Sequence, residues 1–306
     1  MFGPVAVISA AYVIAFPRTS TADSEVRFSS EEIRSSALQH PSADDLGLLC
    51  AQASKNLKQL LPQDFHFVVR PPFVLAGDIS VARLQALHDG IIAPVSRALQ
   101  ATYFVRRPNQ PIRIVICATE ARFRQLAREW DGHRDGGYHG YYQRDKRRVL
   151  LDLAAGNGSL AHELTHALSQ SDCEDLPEWF DEGLAALHED ATFSAGEKGL
   201  IGLPNWRCRI TLQALKSREL PSLHDLTKPA EFRAGNVELR YAAARSVCLF
   251  LQERRLLAAY YKGLRGRDRS DVSGLETLCR ILQVADVAAV ERQFHGWVKQ
   301  TVKPAG

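Results

Sequence analysis

The chain lacks most of the features that assign a protein to a class directly. No two of its six cysteines stand at Cys-x-x-Cys spacing, so a structural zinc site is not indicated. Neither sign of charge dominates: 38 basic and 35 acidic residues leave a net +3. That balance carries no signal for a nucleic-acid or membrane-surface binder. The short basic clusters Arg144-Asp145-Lys146-Arg147-Arg148 and Arg265-Gly266-Arg267-Asp268-Arg269 read as solvated loops. There is no internal repeat and no low-complexity tract, which excludes solenoids and compositional linkers. The apolar N-terminal run, Phe2 to Phe16, has about 15 residues, short of the ~20 that a spanning helix needs.

That run is followed by Pro17, Arg18 and the small residues Ser20-Thr21-Ala22, although nothing basic precedes Phe2. The layout favours an export signal over residues 1–22 and hence a periplasmic or secreted protein; an uncleaved anchor and a buried N-terminal strand are the alternatives. No other membrane span is expected. Export would allow the cysteines to pair. Cys50, Cys117, Cys248 and Cys279 lie in apolar runs and read as small core residues. Cys173 and Cys208 lie in polar segments and are the pair expected to bridge if any does.

What is present is concentrated in Leu160-Ala161-His162-Glu163-Leu164-Thr165-His166-Ala167-Leu168. On a helix, residues four apart share a face, so His162 and His166 offer two corners of a tetrahedral Zn²⁺ site. Glu163 is turned by about 100°, toward an activated water rather than the metal, as a general base requires. Upstream, Arg147 to Leu153 reads as a strand, and Ser159, after a Gly-rich break, is the expected helix N-cap. Downstream, Pro177 opens a second helix with acidic residues in its first turn. A catalytic zinc takes three protein ligands and a water. Glu182 is the favoured third ligand, because Gly183 and Ala186 beside it allow close helix approach. Glu178, one turn earlier, and Asp172, six residues past His166, are the alternatives.

The rest of the chain orders itself around that stretch. Residues 23–62 form a polar leader ending in a helix over Asp44–Leu61, with a stripe of Leu46, Leu48, Leu49, Leu57, Leu60 and Leu61. Residues 63–170 read as an α/β subdomain. It has strands at Phe65–Arg70, Phe73–Asp78 and Ile112–Cys117, and a long helix from Val81 to Tyr103 capped by Ser80 and kinked at Pro94. A further helix, Glu120–Trp130, is capped by Thr119, and a hairpin turns around Asp145-Lys146. His133 and His139 read as exposed loop histidines rather than ligands. Residues 171–306 read as mainly helical after a loop over Ala191–Asn205, and the site is expected at the junction of the two subdomains. Arg240 and Arg245 read as solvent-facing, with binding of a substrate carboxylate as the alternative.

Taken together, His162-Glu163-x-x-His166 and Trp179-Phe180-Asp181-Glu182-Gly183-Leu184-Ala185 resemble the gluzincin zinc metallopeptidases. The likeness is greatest to the aminopeptidase-like branch, with its Trp-x-x-Glu-Gly-x-Ala block, and extends to bacterial proteins described as peptidase MA-like. The resemblance implies an α+β, zincin-like fold: a small mixed sheet with the active-site helix, then a helical C-terminal subdomain. It implies one Zn²⁺ on His162, His166 and Glu182, Glu163 as general base, and a peptide or protein substrate. In such enzymes a tyrosine from the helical half steadies the oxyanion, and Tyr241 stands where order and spacing place it, a packing tyrosine being the alternative. An edge strand beside the site holds the extended substrate, which places it here within Gly140–Leu153. The Gly-x-Met-Glu-Asn-type amine-binding motif of true aminopeptidases is missing. A zinc-binding protein without turnover, serving as scaffold or regulator, is the alternative function.

Overall fold

The computed structural model describes residues 43–133, 138–194, 196, 199–229 and 232–301. The expected export signal and most of the polar leader lie outside the described residues.

The apolar runs form a five-stranded mixed sheet. β1 (His66–Arg70) and β2 (Phe73–Gly77) make an antiparallel hairpin. β2 runs parallel to β3 (Ile112–Cys117), and β3 parallel to β5 (Arg148–Asp152). β4 (Gly140–Gln143) pairs antiparallel with β5, giving the order β1-β2-β3-β5-β4. β2, β3 and β5 are nearly continuous in apolar residues because both of their faces are covered. β4 is the edge, and all four of its residues are half-buried. β5, the interior strand of that last hairpin, leads into the next helix and so roots it inside the sheet rather than at its edge.

Alternate side chains divide the sheet between two cores. Val74, Ala76, Val115, Cys117 and Leu150 face α1 (Ala43–Leu60) and α4 (Glu120–Asp131). Leu75, Ile114, Ile116, Val149 and Leu151 join the other core with α2 (Val81–Leu87), α3 (Ala93–Thr102) and α5 (Gly156–Asp172). The buried stripe of α1 is Cys50, Ala53 and Leu57, continued by Leu61; the expected Leu48, Leu49 and Leu60 are exposed. Spacings of three and four, not leucine content, pick the buried face. The expected kink at Pro94 is replaced by a π turn, His88–Ile92, in which the Ala93 N–H donates to His88 O five residues back. α3 then restarts with Pro94 near its N-terminus, where its missing N–H costs little.

Beyond α5 come α6 (Glu178–His188), α7 (Trp206–Ser217), α8 (Leu223–Leu226), α9 (Val237–Glu253), α10 (Leu257–Arg265), α11 (Leu275–Leu282) and α12 (Val287–Thr301). The segment expected as a loop over 191–205 contains a hairpin, β6 (Ala191–Phe193) and β7 (Leu200–Gly202), whose three-residue strands are too short for a periodic signal. The inner core runs without a break from Val68 to Val298, joining the sheet to the helical half. Among the described residues no helix is long and apolar enough to cross a membrane. All six cysteines are free thiols. The expected Cys173–Cys208 bridge is absent: Cys208 Sγ faces the Arg245 guanidinium at 3.8 Å, while the Cys173 thiol meets the Asp175 backbone.

Two glycines set the helix packing around the motif. A Cβ on Gly183 would stand 2.7 Å from Ala244 O, so α6 and α9 touch through bare backbone. A Cβ on Gly158 would stand 2.4 Å from Glu189 O, so the first turn of α5 lies against the end of α6. α5 accordingly begins at Gly156, and Ser159 lies within its first turn instead of capping it.

Candidate metal centre

α5 is buried around most of its circumference. Leu160, Leu164, Ala167 and Leu168 fix it in the inner core, and His162, Glu163 and His166 are buried beside them. α6 is fixed in the same way by Trp179, Phe180, Leu184 and Leu187, which leaves Glu182 to face α5.

Three ligand atoms converge there. His162 Nε2 and His166 Nε2 are 3.0 Å apart. Glu182 Oε2 is 3.5 Å from the first and 3.4 Å from the second. Tetrahedral coordination with bonds of ~2.0–2.1 Å separates neighbouring ligand atoms by about 3.3 Å, so this triangle has the size of one face of such a site. His166 Nδ1 lies 2.8 Å from Asp181 Oδ2, which holds the ring proton there and leaves the lone pair on Nε2. His162 Nδ1 lies 2.9 Å from Glu189 Oε1, at ion-pair distance but off the line of a hydrogen bond. Two lone pairs and a carboxylate oxygen turned toward one point fit a cation. The described residues contain this His162–His166–Glu182 group as their one cluster suited to a metal.

Each carboxylate has its own support. Asp181 accepts from Arg144 Nη2 at 2.7 Å and Ser169 Oγ at 2.9 Å. Glu189 pairs with Arg207. Glu182 Oε1 accepts from Arg233 Nη2 at 2.6 Å. Without a metal, burial opposes charge on both rings, but the carboxylates outweigh it. Glu182 and Glu189 bring His162 up to about 9, and Asp181 and Glu182 hold His166 well above its usual value. Burial also resists ionisation of Glu182, yet the two imidazoles hold it well below the ordinary carboxylate range. Burial pushes Glu163 upward against the pull of both rings.

The other sequence candidates separate clearly. Glu178 is paired with Arg233 Nε at 2.5 Å. Asp172 accepts from the Val105 and Arg106 N–H groups at 2.8 and 2.6 Å and from Tyr261 Oη at 3.0 Å. Neither reaches the triangle. His133 and His139 also stay out of it, but they are tethered rather than loose: His133 to Tyr138 Oη at 2.5 Å, His139 to Asp152 at 2.7 Å. Tyr241 lines the same cleft as Glu163, with its ring 5.3 Å from that of Phe232. Arg240 donates to Asp225 O at 2.8 Å. Arg245, expected at the surface or on a substrate, is fully buried. It donates to Ala186 O and Leu203 O at 3.0 and 2.5 Å, so its charge meets one carbonyl near the C-terminal end of α6 and one just past β7.

The cleft itself holds about 1470 Å³. Its lining includes Tyr141 and Tyr142 of β4 and, from the helical half, Trp206, Arg207, Arg233 and Tyr241. β4 has no strand partner on its outer side among the described residues. Sequence reasoning missed Asp181, Glu189, Arg144, Arg207 and Arg233. Only Asp181, next to Glu182, lay close to a recognisable signal. Comparison with protein-family models and with curated proteins gave no match.

Proposed function

We propose that this chain is a zinc-dependent metallopeptidase of the gluzincin type, with a zincin-like fold. The observation that carries the reading is the triangle of His162 Nε2, His166 Nε2 and Glu182 Oε2, whose edges of 3.0 to 3.5 Å match one face of a tetrahedral site. Bound there, zinc supplies Lewis acidity, making water a usable nucleophile at neutral pH and polarising a peptide carbonyl. The remaining work belongs to the chain. The unpaired edge of β4 offers backbone N–H and C=O groups to an extended peptide along the cleft wall. Glu163, buried and, among the described residues, without the arginine partner that Glu182 has, takes the attacking water's proton and returns it to the nitrogen of the leaving amine. Tyr241, which lines the same cleft, donates its hydroxyl proton to the developing oxyanion.

The test is hydrolysis of a peptide mixture with and without a chelator. The reading expects chelator-sensitive cleavage. Glu163→Gln should retain the metal and lose turnover by about 10²–10⁴-fold. An unchanged rate in that variant refutes the assignment of Glu163. Bound zinc without cleavage of any peptide selects the scaffold reading instead.

A further inference from the structure

We propose that Arg233 is a positioning residue that restricts Glu182 to one oxygen toward the metal and holds the Tyr241 phenol beside that ligand. The inference rests on the metallopeptidase reading for its effect on turnover. Its effect on the metal can be read without any substrate.

The three guanidinium nitrogens each have a separate partner. Nη2 lies 2.6 Å from Glu182 Oε1, the oxygen that does not face the histidines. A carboxylate ligand can offer one oxygen or both, and a charge-assisted bond to Oε1 leaves only Oε2 for the metal. Nη1 lies 3.3 Å from Tyr241 Oη. A guanidinium only donates, so the phenol oxygen accepts here and its own proton is left to the neighbouring Glu182 carboxylate. Nε lies 2.5 Å from Glu178 Oε1, four residues before Glu182 on α6, which fixes the plane of the fork. The preceding residue, Phe232, is buried and packs its ring on Tyr241. One short segment therefore sets both the third ligand on α6 and the phenol on α9. The Arg233 side chain is 61% exposed, so its truncation leaves little buried volume unfilled.

The experiment compares wild type, Arg233→Ala, Arg233→Gln and Arg233→Lys after replacing the native metal with Co²⁺, whose visible absorption weakens as coordination rises above four. Melting curves establish that each variant is folded. Wild type should show strong four-coordinate absorption. Arg233→Ala and Arg233→Gln should show a several-fold weaker band, because Oε1 becomes free to join the metal. Arg233→Lys replaces the Glu182 contact but not the fork to Tyr241, so it should keep the wild-type spectrum while kcat falls. In Arg233→Ala, kcat/KM should fall by about 10–100-fold, mostly in kcat, and adding Tyr241→Phe should cost far less than it does in wild type. An Arg233→Ala protein with wild-type spectrum and kcat overturns the proposal. Wild type that takes up no cobalt overturns the metal reading beneath it and the proposal too. If cobalt binds but no peptide is cut, the spectra decide the Glu182 claim, and the proposal's claim on Tyr241 falls with the peptidase reading.

Discussion

The two faces of the central sheet are built from different materials. Toward α1 and α4 the core is mostly apolar, with Leu57, Phe123, Leu126 and Val115 buried against one another, and its buried charges are few: Arg148, paired with Asp131, and Asp152. Toward α5 and α6 the core also encloses His162, Glu163, His166, Asp172, Asp181, Glu182, His188 and Arg245. Burying an ionisable group is costly unless it is paired or hydrogen-bonded, and most of this set is. The difference shows where stability and chemistry reside: the outer face holds the sheet together, and the inner face accepts a stability cost to place the site. Perturbing the outer face should therefore change stability and leave the metal alone, whereas perturbing the inner face should do the reverse or both.

The largest expected effect comes from acid acting on the inner face. His188 is fully enclosed, 3.3 Å from Thr165 Oγ1 and 3.4 Å from Tyr103 Oη. Burial, with help from Arg245 and His162, lowers it from 6.5 to about 3. The unfolded chain then takes up a proton that the folded one refuses, so this stabilisation is present above pH 6.5 and drains away as pH falls toward 3. The loss is about 1.4 kcal/mol per pH unit in that window. Chemical denaturation across pH 6.5 to 4 should show this slope, and His188→Gln should flatten it by about one proton. Equal slopes in the two proteins would place the acid sensitivity elsewhere.

Next in size is the outer core. Leu126→Ala should destabilise by roughly 2–5 kcal/mol while zinc content and activity per folded molecule stay unchanged. Loss of zinc from that variant at a temperature where it remains folded would show that the two faces are not separable. A smaller effect, on the other side of the comparison, is expected from Asp181→Asn. The carboxylate that orients His166 is removed, metal affinity should drop by about 10–100-fold, and competition with a chromophoric chelator would measure it. The smallest is Thr119→Ala, which removes the hydroxyl that accepts from the Arg122 N–H and caps α4. It should cost about 1 kcal/mol in a denaturant titration and nothing in metal binding.

Which parts of this arrangement were legible follows from the range of each signal. His162, Glu163 and His166 are set by helical spacing, and Glu182 by a local block of small and aromatic residues, so the triangle could be read from two short stretches. The central strands could also be read, because burial on both faces demands continuous apolar runs. The support shell could not: Arg233 meets Glu182 across 51 residues and Arg207 meets Glu189 across 18, with no periodicity linking them. Arg245 was misplaced because an arginine in a sequence reads as a surface residue, whereas here backbone carbonyls solvate it. The leucines of α1 misled for the opposite reason, since Leu48, Leu49 and Leu60 point outward while Cys50 and Ala53 fill the core.

The account depends on α5 and α6 bringing two imidazoles and one carboxylate around a single ion. The most direct test is elemental analysis of the purified protein after equilibration with zinc, for wild type, Glu182→Ala and Glu178→Ala. The account predicts one tightly held zinc per chain in wild type, none in Glu182→Ala, and the wild-type content in Glu178→Ala. Zinc absent from the wild type, or held as firmly after Glu182→Ala as before it, would contradict the account.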